Sequence, residues 1–143
     1  MSRDQGKCLL IADDDPEMLA AYSVFFRDQG FDIRTAANGA DAFAEYCVWR
    51  PDAVLLDIEM PLLDGRGVAR AIRLARAIPA PLLLATSGLT SLSENDESIR
   101  AGFDDHFTKP VLLPVILAAI ICGLASSKTQ TFSRVANKPA EES

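Results

Sequence analysis

The stretch from Ala53 to Gly65, AVLLDIEMPLLDG, limits what this chain can fold into more than any other. Its opening residues, Ala53 to Leu56, form an apolar run too short for a helix and suited to a strand buried on both faces. The run ends abruptly in a carboxylate, Asp57. Pro61 then forbids a continuing central strand, and Asp64-Gly65 is a turn signal. One acid therefore sits at the carboxyl end of a buried strand, at the mouth of a loop. In open α/β sheets ligands bind along that edge. Taken alone, Asp57 reads equally well as a cap for the next helix, so the rest of the chain has to decide.

The same pattern recurs. Lys7 to Ala12 is a buried strand that also ends in acid, Asp13-Asp14-Asp15, and Asp15-Pro16 reads as an N-cap followed by proline at the first helical position. Met18, Leu19, Tyr22, Phe25 and Phe26 repeat with helical spacing up to Gly30. Phe31 to Ala36 alternates like a strand nearer a sheet edge, and Asn38-Gly39 opens a second helix with Ala42, Phe43 and Tyr46 inward. After Asp57 the spacing predicts a helix over 67–77 using Val68, Ile72 and Ala75, with Asp64 as a turn residue. Pro81 to Ala85 is a fourth strand, leading into Thr86-Ser87-Gly88. An acidic segment, with Glu94 to Glu97 as a solvated face, feeds a weak helix, and Phe103 to Thr108 holds a short fifth strand before Lys109-Pro110. A last helix runs from about Leu113 to Ala125, with Leu113, Leu117, Ile120, Ile121 and Leu124 as its inner stripe and Val115, Ile116, Ala118, Ala119 and Cys122 outward.

Five strands alternating with five helices imply right-handed βαβ units and a parallel sheet covered on both faces. The expected fold is α/β and flavodoxin-like, a doubly wound five-stranded sheet of order 2-1-3-4-5, with its switch point between the first and third strands. Residues 1–6 form a polar lead-in, 7–125 the domain and 126–143 a flexible tail. The 143 residues suit one domain, and 49% apolar content supports a real core. A net charge of −6 argues against direct nucleic-acid binding. Cys8, Cys47 and Cys122 read as free thiols in a reducing compartment. With no signal peptide and no apolar run long enough to span a bilayer, a cytoplasmic location is expected.

Each strand of the central set ends in a residue that can face one crevice: Asp13 and Asp14, then Asp57, then Thr86 or Ser87, then Lys109. Crowded carboxylates repel one another and invite a divalent cation, and all-oxygen ligation suits Mg²⁺. A lysine and a hydroxyl opposite would complete a clamp for a phosphoryl group carried on a carboxylate oxygen.

With these residues in place the chain resembles a response-regulator receiver domain of two-component signalling. The matching pieces are LLIADDDP at 9–16, VLLDIEMPLLDG at 54–65, ATSG at 85–88 and AGFDDHFTKP at 101–110. The resemblance implies that Asp57 is the phosphoacceptor and that Asp14 is a direct Mg²⁺ ligand. It implies a water-mediated role for Asp13, and a backbone carbonyl ligand from Glu59. Lys109 would contact the phosphoryl oxygens and precede a cis proline at Pro110. Counting from Pro81 favours Thr86 as the switch hydroxyl. The separations of 30 residues from Asp57 and 22 to Lys109 favour Ser87, which is taken here with Thr86 as the alternative. His106, the single histidine, matches the family's aromatic switch position or is simply a half-buried strand residue.

The implied function is a phosphoryl-accepting switch served by a sensor histidine kinase or phosphotransfer protein. It would be an enzyme only in catalysing its own phosphorylation and dephosphorylation. The alternatives are an Asp-nucleophile phosphatase or phosphotransferase, or a pseudo-receiver that binds without phosphate. No effector segment follows Ala125, so the chain reads as a stand-alone receiver or a fragment, with an unknown protein target. No charged residue occurs from Val111 to Ala125, which points to a partner for the last helix, such as a second copy of the chain.

Overall fold

The computed structural model describes residues 6–88 and 92–126, with side chains throughout except at 92–96. The expected tail lies outside the described residues save Ser126, and so does the expected lead-in save Gly6. Five strands, β1 (Cys8–Ala12), β2 (Asp32–Ala36), β3 (Ala53–Asp57), β4 (Leu82–Ser87) and β5 (Asp105–Thr108), pair in parallel in the order β2-β1-β3-β4-β5. Four helices connect them: α1 (Pro16–Asp28), α2 (Gly39–Trp49), α3 (Gly65–Ala75) and α4 (Leu92–Ala101). A fifth, α5, covers 113–126.

Helix starts follow local chemistry. The Asp15 carboxylate accepts the Glu17 amide at 3.0 Å, and Pro16 opens α1. Asn38 Oδ1 accepts the Asp41 amide at 2.8 Å to start α2. Asp64, expected as a turn residue, accepts the Gly67 amide at 2.8 Å and is the N-cap of α3. That cap sets the start of α3 two residues earlier than the apolar spacing predicts. Asp57 is thereby relieved of capping the helix after its strand. Val68 and Ile72 face the core as expected, joined by Ala69, while Ala75, the last residue of α3, is exposed.

Successive strand residues face opposite sides, and both sides are covered. Leu10, Val54, Leu56, Leu83 and Ala85 pack with Tyr46, Val68, Ile72 and Ala101 from α2, α3 and α4. Leu9, Ile11, Ala53, Leu55 and Leu84 pack with Tyr22, Phe26, Ile116 and Ile120 from α1 and α5. All of β3 is buried, the environment its continuous apolar run requires. In α5 the inner stripe is turned from expectation: Ile116 is fully buried beside Ile120, while Ile121 is 55% exposed. The i, i+3, i+4 spacing of Leu113, Ile116, Leu117 and Ile120 accounts for this rotation. The three cysteines form no disulfide, and no described helix is long and apolar enough to cross a membrane.

Candidate functional site

The switch point of the sheet lies between β1 and β3, whose last register pair is Ala12 with Leu56. One step further along, Asp13 just past β1 and Asp57 at the end of β3 lie side by side, both nearly fully buried, with Asp14 exposed at the rim. A carboxylate oxygen from each of Asp13, Asp14 and Asp57 lies within 4.8 Å of the others. From the far side of β4, Lys109 places Nζ 3.2 Å from an oxygen of Asp13 and 3.2 Å from one of Asp57. The other Asp13 oxygen accepts the Asp15 amide at 2.9 Å, and the other Asp57 oxygen accepts the Glu59 amide at 3.2 Å. The loop after β3 folds tightly onto the acid: a β-carbon on Gly65 would stand 2.6 Å from the Asp57 carbonyl oxygen. The Lys109–Pro110 peptide is cis.

Two buried acids share one ammonium, and the charges do not balance. Burial, then the charge of Asp13, pushes Asp57 up to about 7, against the opposing pull of Lys109. Burial works against the Lys109 charge, yet Asp57 and Asp13 outweigh it and hold the ammonium above its ordinary value. The crevice therefore has negative charge to spare. An oxygen donor set of this kind suits a hard divalent cation such as Mg²⁺.

The two candidate hydroxyls part company by strand alternation. Ser87 falls on the face shared by Leu83 and Ala85, and its Oγ donates to Glu59 Oε2 at 2.6 Å. Thr86, register partner of Asp57, turns to the opposite face, within electrostatic reach of the buried Tyr22 hydroxyl but without a hydrogen bond of normal geometry. Burial, then the charge of Asp13, pushes the Tyr22 hydroxyl above its ordinary value and keeps it neutral. His106 is half-buried and is the register partner of Ala85, so it lies on the Ser87 face of the sheet. Sequence reasoning assigned only the backbone of Glu59. Its carboxylate, which also accepts the Gly88 amide at 3.4 Å, joins the ends of β3 and β4. Equally unforeseen is Arg66, which pairs with Glu97 at 3.4 Å and ties the start of α3 to α4. Glu97 itself stays half-exposed, on the solvated face expected there. An isolated charge carries no signal of a partner some thirty residues away.

The model of the response regulator receiver domain matches residues 9–121, the span that contains the whole acid–hydroxyl–lysine set. The chain belongs to that family. This receiver is 37% identical over 113 residues to the transcriptional regulatory protein PrrA of Mycobacterium tuberculosis, covering 78% of this chain and 47% of that one. It is 32% identical over 102 residues to the DNA-binding response regulator MtrA of Mycolicibacterium smegmatis, covering 71% of this chain and 43% of the relative. The chain spans about half the length of the curated relatives it matches. Among solved structures it resembles a CheY-like receiver domain from Methanospirillum hungatei. The TM-score is 0.82 at 25% identity, over 88% of this chain and 99% of that one.

Proposed function

We propose that this receiver takes a phosphoryl group onto Asp57 and changes its partner-binding face in response. The observation that carries the reading is Lys109 Nζ at 3.2 Å from both Asp57 and Asp13, with Asp14 completing a cluster of three carboxylates. An Asp57 carboxylate oxygen attacks the donor's phosphorus, the bond from phosphorus to the leaving nitrogen or oxygen breaks, and an acyl phosphate remains. Lys109 neutralises charge on the phosphoryl oxygens, and Ser87 donates its hydroxyl to one of them. Attack of water on phosphorus later releases inorganic phosphate, so the chain is an enzyme only on itself. Asp14, Asp57 and the Glu59 backbone carbonyl would hold Mg²⁺ directly, and Asp13 through water. When bound, that ion supplies charge neutralisation at the transferring phosphoryl group. His106, on the face of Ser87, is the candidate second element of the switch.

The donor in this reading is a sensor histidine kinase or phosphotransfer protein, and the setting is cytoplasmic. The receiver acts through protein contacts rather than on nucleic acid. DNA binding is named for the MtrA relative, of which this chain spans 43%. Incubation with acetyl phosphate and Mg²⁺ should add one hydroxylamine-labile phosphoryl group, absent from Asp57→Ala. The same label on that variant would refute the assignment.

A further inference from the structure

Glu59 is exposed on the loop after β3, between buried Ile58 and Met60, yet its carboxylate reaches across to the end of β4. Ser87 Oγ donates to Oε2 at 2.6 Å, and the Gly88 amide donates to Oε1 at 3.4 Å. Ser87 itself is fully buried, so its hydroxyl is held within the protein rather than shared with bulk water. A serine hydroxyl has one proton to donate. While that proton is on Glu59 it cannot be on a phosphoryl oxygen.

We infer that the Glu59 carboxylate is a latch on Ser87: it holds the hydroxyl while Asp57 is unmodified, and a phosphoryl group on Asp57 has to take the hydroxyl from it. The inference rests on Asp57 as phosphoacceptor and adds a competitor within the site. The competition has a definite sense. A charge-assisted hydrogen bond is among the stronger ones. Breaking it opposes loading and holds the end of β4, next to α4, in its unloaded position. A phosphoryl group brings about −1.5 to −2 of charge. Attached to Asp57, two residues before Glu59, it repels the carboxylate and attracts the hydroxyl. Latch and loaded state are thus alternatives, and Glu59 sets the threshold between them. Lys109 does not offset the latch, because its ammonium contacts Asp13 and Asp57.

The test is a titration of the full chain with beryllofluoride in excess Mg²⁺, read by the fluorine resonances of the bound probe. Wild type, Glu59→Ala, Glu59→Gln, Ser87→Ala and the Glu59→Ala/Ser87→Ala double variant are compared. Glu59 is exposed, so its replacement leaves the core intact. Glu59→Ala should bind the probe about tenfold more tightly, the scale of one charged hydrogen bond. Glu59→Gln should gain less, because its amide oxygen still accepts. In the Ser87→Ala background the Glu59→Ala gain should largely disappear. An equal gain in both backgrounds overturns the latch and leaves Glu59 as a general negative charge, and no gain in either overturns it too. Both outcomes leave probe binding intact. Absence of binding in every protein, wild type included, is the separate failure of the Asp57 reading and takes the latch with it.

Discussion

Asp57 is the residue whose environment and chemistry are most tightly joined. Its carboxyl, raised to about 7 by burial and by Asp13, would ionise near 3.9 in the unfolded chain. Between those values the folded state holds a proton that the unfolded state has lost. Metal-free stability should therefore fall as pH rises from about 4 to 7 and level off above. Asp57→Asn removes that slope. In chelator, the variant should exceed wild type by on the order of 4 kcal/mol at pH 8 and match it near pH 4. Urea unfolding at both pH values checks this, and a wild type that gains on the variant as pH rises would reverse the sign. The same proton competes with the cation, so Mg²⁺ binding should release protons and weaken as pH falls below about 7. Asp14→Ala, at the exposed rim, should weaken Mg²⁺ binding with little change in the metal-free fold. Calorimetry in buffers of different ionisation enthalpy separates metal affinity from proton release.

Among the elements, the loop from β3 to α3 carries local strain, and the foot of α3 carries a clamp. Leu62 has φ of 73° and is 80% exposed, so it bears the left-handed conformation with little burial in return. Such a conformation costs an L-residue about 1–2 kcal/mol. Leu62→Gly should stabilise the protein by about 0.5–1 kcal/mol, once glycine's extra chain entropy is deducted. A loss of stability in thermal unfolding would mean that the side chain packs in a way its exposure conceals. At the other end of α3, Arg73 donates to the carbonyls of Gly102 and Pro81, both at 2.9 Å, and to Asp104 at 3.0 Å. Gly102 has φ of +115°, and a β-carbon there would stand 2.6 Å from Arg73 Cγ, so the α4–β5 turn is shaped around this arginine. Arg73→Ala should cost about 1–3 kcal/mol and quicken amide exchange at Gly102 and Phe103, with the Asp57 end of β3 undisturbed.

For the whole molecule, the excess negative charge at one sheet edge predicts stabilisation by Mg²⁺ through mass action. The gain is about 2.7 kcal/mol at a hundredfold excess over Kd. A melting shift of at least a few degrees in wild type, and little in Asp57→Asn, is the expected scan. The second large-scale feature is α5. Leu112, Val115 and Ile121 are 74%, 47% and 55% exposed on or just before it, although Ile116 and Ile120 already fill the core. A second copy of the receiver meeting this surface predicts concentration-dependent self-association in sedimentation, abolished by Val115→Lys with Ile121→Lys. A monomer at every concentration would rule out a second copy as the partner expected for the last helix.

Much of the fold was legible in the chain because it rests on local rules. Short apolar runs closed by acid or proline become buried strands, and Asp15 and Asn38 announce their helices. The alternation of strand and helix then admits few topologies, and the order β2-β1-β3-β4-β5 is the one found. Asp13, Asp57 and Lys109 could be read together because each follows directly from the end of a strand whose place in the sheet the topology sets. Other features depend on rotation about an element's axis, to which spacing alone is insensitive. Ala69 rather than Ala75 completes the inner face of α3, and a neighbouring stripe of α5 buried Ile116 in place of Ile121. Ser87 and Thr86 differ by one strand step, which the sequence cannot assign to a face and the register can. Glu59 on Ser87, Arg66 on Glu97 and Arg73 on Asp104 are contacts between side chains distant in sequence. A charged residue on a loop carries no mark of its partner until the backbone brings the two within hydrogen-bonding reach, so these were decided by the tertiary structure alone.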